Sequence, residues 1–281
     1  MFWHRLTIFV QILLVVVGSL LLFAREWPAF GTEADQINAI VRQQQFDFVA
    51  WEAKAFLAKA EAALANGHTF LDEAERKQVV LDYLELLHQA QQLDGEITRL
   101  YVDPAVSDPD SASATLQTEL AQMRTQLAEL QPLAEAILQD QVAAILVEEG
   151  FDLTGQAWPP VMMHLTAVPN LLVASPRDRI ERIHQRSLVP ALTTPDKEEM
   201  ETAVTDTLNL SALIVPLGGI GTYPAMIQET TNINWLAEVT AHEWSHHWMG
   251  FHPVGVYYGD PAVRIINETI ASIIDQEIGA K

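Results

Sequence analysis

Between residues 33 and 149 the chain carries only two glycines, Gly67 and Gly95, and three prolines, Pro104, Pro109 and Pro132. A stretch so long, so poor in chain breakers and so regular in its apolar spacing has few options besides long helices that pack on one another. The segment "TEADQINAIVRQQQFDFVAWEAKAFLAKAEAALANG" ends in Asn66-Gly67, a helix stop. A second helix is expected from Thr69, where "TFLD" has the form of a capping box with Asp72 three residues on, and it continues through Leu84, Leu87 and Leu100. "DPDS" then marks a turn. The third helix carries Leu116, Leu120, Met123, Leu127 and Leu130 at alternating four- and three-residue steps, the seam of a coiled coil or an antiparallel bundle. Pro132 is expected to kink or split it, because proline lacks the amide hydrogen and crowds the preceding turn. The region reads as a helical stalk or bundle.

Residues 6–24, "LTIFVQILLVVVGSLLLFA", contain no charge and match the roughly 20 residues that cross about 30 Å of hydrocarbon as a helix. A cleaved signal peptide competes, with Arg5 as its basic start and Ala24 at a cut. However, Leu22 stands where a small residue is wanted and the apolar run is long for a signal. The expectation is a transmembrane anchor over 1–26. Arg5 precedes the run, while Arg25 is offset by Glu26, which places the amino terminus in the cytoplasm and the bulk of the protein outside it. A net charge of -21 repels phosphate backbones and excludes nucleic acid as a partner. With no cysteine there is neither a disulfide framework nor a thiolate ligand, so any metal must be held by His, Asp or Glu.

Composition changes at "GFDLTGQAWPPV", near residue 150. Short apolar runs rich in branched residues, "VMMHLTAV", "NLLVAS" and "SALIVPL", read as strands. Between them "TTPDKEEMETAVTDTLN" reads as a helix capped by Thr194 with Pro195 in its first turn. "GGIGTYP", residues 218–224, is either a tight loop or an edge where a substrate approaches the backbone closely. The expected fold class is therefore α+β and mostly helical, in three parts: an anchor over 1–26, a helical domain over 33–149, and a small catalytic domain over 150–281 with a short sheet and two active-site helices.

The chemistry concentrates in "VTAHEWSHHWMGFHP". His242 and His246 are four residues apart, which on a helix places both imidazoles on one face, able to grip a single Zn²⁺. Glu243 follows the first of them, positioned in such an arrangement to take a proton from the metal's water rather than to bind the metal. His247 falls on a different face, about 100° from His246.

A third ligand has two candidates. His252 lies ten residues after His242, as in HExxHxxGxxH. That pattern wants glycine where Met249 stands, and a later methionine turn that is absent. Glu268 is the other, midway along the helix expected in "GDPAVRIINETIASIIDQEIG", with Asp260 as cap and Pro261 behind it. Among Ile265, Ile266, Ile270 and Ala271 its carboxylate would be costly to bury alone, and a cation would offset that cost.

"HEWSH" followed by "NETIAS" resembles the gluzincins, the thermolysin-like zinc metallopeptidases, over residues 211–279. More narrowly, it resembles membrane-anchored bacterial proteins predicted to be zinc peptidases. The resemblance implies one Zn²⁺ per chain on His242, His246 and Glu268, with Glu243 as general base. It also implies a peptide or protein substrate laid along the strand before the active-site helix. Two departures stand out. Ser272 occupies the position where the family has an aspartate orienting the first histidine, with Asp275 nearly a turn further. Only thirteen residues follow Glu268, too few for the lobe that supplies a transition-state donor in thermolysin-like enzymes, so either the sequence is truncated or the enzyme is minimal. Tyr223, Tyr257 and Tyr258 are the local candidates for that donor. The expected function is thus a membrane-anchored zinc peptidase. The rival is a non-catalytic anchored helical adaptor with a vestigial or structural zinc site.

Overall fold

The computed structural model describes residues 31–65 and 67–281. The uncharged run 6–24 expected to form the anchor lies outside them. Among the described residues no helix is long and apolar enough to cross a membrane. They form a mostly helical α+β architecture with three small sheets, and they fall into two compact units.

Of the described residues, the smaller unit comprises 31–45, 172–186 and 192–214. It contains α1 (Glu33–Val41), α5 (Thr194–Leu208) and a sheet of order β5-β4-β6, formed by β4 (Asn170–Pro176), β5 (His184–Leu188) and β6 (Leu210–Pro216). The cap of α5 is Thr193 rather than the expected Thr194. Thr193 exchanges side-chain and backbone bonds with Asp196, which only the third helical residue can do. Asn209 ends the helix in the left-handed region at φ 54°. Buried Ile37, Val41, Leu172, Ala174, Met200, Val204, Leu210 and Ile214 supply this unit's apolar interior.

The larger unit, residues 46–171, 187–191 and 215–281, takes chain from both sides of residue 150. The composition change there marks where strands begin; it does not mark a break in packing. Helix α2 (Phe48–Ala65) precedes a helical hairpin of α3 (Glu73–Val102) and α4 (Pro109–Glu148). The start of α3 is Glu73, not Thr69: residues 67–70 form a 3₁₀ turn, and Asp72 is itself the cap, in a capping box with Glu75. Asp108 caps α4 by accepting from the Ser111 amide, with Pro109 in the first turn. The helix is not split at Pro132. Buried Leu127 before the proline and Ala134, Ile137 and Leu138 after it belong to one core, so packing holds both halves in register across the missing bond.

That core joins α3 (Val80, Tyr83, Leu84, Leu87) to Met163 and Leu165 of β3 (Met163–Thr166) and to Ala225 and Ile227 of β8 (Ala225–Gln228). A second cluster on the same helix joins Val142 and Leu146 to Ala241 and Trp244 of α6 (Ile233–Met249) and to Ile274 and Ile278 of α8 (Pro261–Gly279). Helix α4 is therefore the spine against which both the sheet and the two C-terminal helices pack. The sheet has the order β3-β8-β7, with β3 parallel to β8 and β7 (Gly219–Ile220) antiparallel to it. A two-stranded ribbon of β1 (Asp152–Leu153) and β2 (Gln156–Ala157) and the short α7 (Pro253–Val256) complete the unit.

The outer edge of β3 is paired by side chains of α4. Gln139 Oε1 accepts from the Met163 amide at 3.0 Å and Glu135 Oε1 from the Leu165 amide at 2.7 Å, while Gln131 Nε2 donates to the Leu165 carbonyl at 2.7 Å. Four helical residues rise about 6 Å and two strand residues about 6.6 Å, so residues at i, i+4 and i+8 of a helix can serve alternate residues of a strand. Glu135 is 1 % exposed and is also ion-paired to the buried Lys59 and to His164. Burial opposes its ionised form, but Lys59 and His164 outweigh that and hold its pKa below the ordinary carboxylate range. Lys59→Met leaves this charge buried without its main partner. The variant is expected to unfold in urea with a loss of about 3–5 kcal/mol, the cost of breaking rather than replacing a buried pair. A loss under 1 kcal/mol would show that the pair does not hold the strand edge.

Candidate metal centre

Helix α6 starts where Asn232 accepts from the Trp235 amide and ends at Gly250, as its apolar body and glycine stop require. Trp244, 1 % exposed, anchors one face and donates from Nε1 to the Pro159 carbonyl at 2.7 Å. The opposite turn presents His242 and His246. Asp260 caps α8 through the amides of Ala262 and Val263. The two helices pack closely: a Cβ on Gly279, near the end of α8, would stand 2.2 Å from Glu238 Cγ of α6. At this contact a larger residue would force the Glu238 side chain to move.

The packing brings three ligand atoms together. Glu268 Oε2 lies 3.6 Å from His242 Nε2 and 3.7 Å from His246 Nε2, and all three atoms fall within 4.8 Å of one another. Bonds of about 2.0–2.1 Å at tetrahedral angles place neighbouring ligand atoms about 3.3 Å apart, so small adjustments would seat one Zn²⁺. The other ring nitrogens are engaged. His242 Nδ1 donates to Asp275 Oδ2 at 2.7 Å and His246 Nδ1 to Asn267 Oδ1 at 2.7 Å. Asn267, 1 % exposed, is oriented by donating its amide to the Val254 carbonyl at 3.1 Å. Both rings are thereby oriented with Nε2 toward the cluster, where loss of the Nε2 proton leaves the lone pair a metal ligand needs. Asp275 thus does reach His242. It is seven residues beyond Glu268, two turns along the same face of α8, which the sequence displays but which the position of Ser272 obscured.

The electrostatics follow from this geometry. Glu268 and Asp275 hold the His242 imidazolium against the opposing effect of burial and raise its pKa to about 9. His242, with Tyr258 and His246, draws the Glu268 carboxyl down to about 2. Burial pushes His246 below its ordinary value. In the metal-free protein a proton on His242 supplies the positive charge that these carboxylates require.

Glu243 is 7 % exposed and points toward β7. Burial, reinforced by the nearby Glu268 carboxylate, raises its pKa to about 7. The glycine-rich segment explains how the strand comes so near: a Cβ on Gly219 would lie 2.5 Å from Glu243 Oε1 and 2.9 Å from Val239 Cγ1. A Cβ on Gly221 would lie 3.5 Å from both Glu243 Oε2 and His246 Cβ. His247 secures the same segment from its own face of the helix, with Nε2 2.8 Å from the Thr222 carbonyl and its ring edge-to-face with Tyr223.

Of the three tyrosines, Tyr258 reaches the cluster. Its hydroxyl donates to Glu268 Oε1 at 2.5 Å, its ring stands edge-on to His246, and Arg264 lies over it at 5.4 Å. Tyr223 donates instead to the Pro160 carbonyl at 3.1 Å, and the Tyr257 side chain is 65 % exposed. His252 is turned away from the three ligand atoms, with Nδ1 3.0 Å from the Trp248 carbonyl and its ring stacked on Trp248. No family model, curated protein or solved structure matches the chain.

Proposed function

We propose that this protein is a zinc-dependent peptidase of gluzincin type, held at a membrane by residues 6–24. One observation carries the reading. Two Nε2 atoms and a carboxylate from a second helix converge beside a buried glutamate that no ligand geometry uses. A site built only to hold a metal for stability has no use for an additional carboxylate kept dry and poised near neutrality. The donor set of two imidazoles and one carboxylate suits Zn²⁺, which when bound would supply the Lewis acidity that makes water a nucleophile near pH 7.

The chain's own groups perform the remaining tasks. Glu243, with its pKa near 7, takes a proton from the attacking water and delivers it to the leaving amine. Strand β7 is an edge strand, paired with β8 on one side only, and an extended peptide can add to its other side by main-chain hydrogen bonds. Gly219 sets that strand on Glu243, so a peptide docked there passes close to the base. Tyr258 holds the second oxygen of Glu268, leaving Oε2 directed at the histidines.

Three outcomes are expected. Glu243→Gln should retain one zinc per chain by metal analysis while losing about 10²–10⁴-fold of its peptidase activity. Glu268→Ala should lose the zinc and His252→Ala should not; full zinc in Glu268→Ala would remove the third ligand from the scheme. Gly219→Ala displaces Glu243 without touching a ligand, so kcat should fall with zinc content intact. Unchanged kcat there would mean that the strand does not position the base.

The pH dependence of metal binding has a definite sign. With a pKa raised from 6.5 to about 9, His242 stabilises the metal-free fold below pH 6.5, and this contribution is lost as pH rises through 9. Zinc must displace that proton. Affinity should therefore rise at least about tenfold per pH unit up to about pH 9, with at least one proton released per zinc at pH 7 in calorimetry across buffers of differing ionisation heat. Binding without proton release would contradict the assignment of the imidazolium to His242.

A further inference from the structure

The hairpin between β4 and β5 gathers Arg177, Arg179, Arg182 and Arg186 within ten residues, in a chain that has only 16 basic residues against 37 acidic. At its tip Ile180 is fully exposed, at 105 % of its reference area, and Ile183 is also exposed. The tip thus combines an exposed apolar side chain with flanking arginines, the pairing that suits a lipid headgroup region. The pairs that Arg179 makes with Asp178 and Glu181 lie on the surface, where such pairs contribute little and exchange readily for other anions.

The base of the hairpin is tied to the start of α1. His184 Nε2 lies 3.1 Å from Glu33 Oε2, Arg186 Nε donates to Asn38 Oδ1 at 2.5 Å, and an Arg186 amine reaches the Ala34 carbonyl at 3.5 Å. Glu33 is only nine residues beyond Ala24, the end of the uncharged run, a separation that extended chain spans in at most about 30 Å. A bilayer holding residues 6–24 therefore lies within reach of the start of α1, to which this hairpin is tied. The net charge of -21 repels headgroups only at range, because at physiological salt charges beyond about 8 Å are screened, and within that distance the hairpin's own arginines dominate.

We propose that the β4–β5 hairpin is a membrane contact, with Arg177, Arg179 and Arg182 on lipid phosphates and Ile180 inserted at the headgroup–acyl boundary. It fixes the smaller unit against the bilayer surface independently of the metal centre. It rests on residues 6–24 being anchored in lipid, and the test separates the two. The chain has no cysteine, so Ile180→Cys in the full-length protein accepts a single environment-sensitive fluorophore. The labelled protein is reconstituted into vesicles of phosphatidylethanolamine and phosphatidylglycerol and extracted with alkaline carbonate to establish anchoring. A label at 180 is expected to emit to the blue of the same label at Glu198→Cys, an exposed site on α5, and to be quenched by lipid-borne quenchers. Adding Arg177→Glu and Arg182→Glu should return its emission toward that of the control. A carbonate-resistant protein whose label at 180 emits like that at 198 would overturn the hairpin contact. Release by carbonate would overturn the anchoring on which it depends.

Discussion

The pairing of α4 with the edge of β3 is the constraint from which the rest of the larger unit follows. An edge strand leaves its amides and carbonyls without partners, and burying it against a helix is feasible only if side chains replace the missing strand. Gln131, Glu135 and Gln139 do so, and Glu135 must then be a charged group in the interior. Lys59 of α2 and His164 answer that charge, which ties a third element to the same place. Once β3 is fixed on α4, its parallel partner β8 and then β7 follow by ladder bonds, and β7 arrives over Glu243. The position of the base thus depends on a polar clamp at the far edge of a three-stranded sheet. The other half of α4 carries Val142 and Leu146, which seat α6 and α8, so one helix sets both the strand and the ligands.

The long helices were legible in the sequence because their breakers are few and their caps explicit. The two misjudged starts, at α3 and α5, differ from the structure by the choice of which oxygen accepts the first amide, a local competition that adjacent candidates such as Thr193 and Thr194 leave open. Strands β3, β4 and β6 announced themselves by branched apolar runs. Strand β5 did not, because "HQRSL" is polar, and β7 and β8 did not, because they are short and flank the turn of the glycine-rich segment. The uninterrupted passage of α4 through Pro132 was hidden because proline's penalty is local, while the core that offsets it comes from residues distant in sequence.

At the candidate centre, the four-residue spacing of His242 and His246 needed no tertiary information, and Glu268 was singled out by its companions "NETIAS". The groups acting on those ligands were less visible. Whether Asp275 or Ser272 addresses His242 depends on the distance and angle at which α8 crosses α6, which Gly279 and Ala271 set through close packing and which no spacing rule encodes. Tyr258 could be named as a candidate but not separated from Tyr257, since adjacent residues in a short turn point in different directions and only the bond to Glu268 decides between them.

The same arrangement explains why a cation belongs there. Glu243, Glu268 and Asp275 bring three carboxyl groups around two imidazoles in a partly dry setting, within a chain whose overall charge is already -21. Without metal the balance is struck by a proton on His242 and by a Glu243 shared between its neutral and ionised forms near pH 7. A divalent ion would replace that proton, and its charge would also draw down the pKa of Glu243, favouring the carboxylate that proton abstraction requires. Burial of Glu243 beneath glycine, which costs the carboxylate its hydration, is then the means of keeping the base dry and close to the bond to be broken.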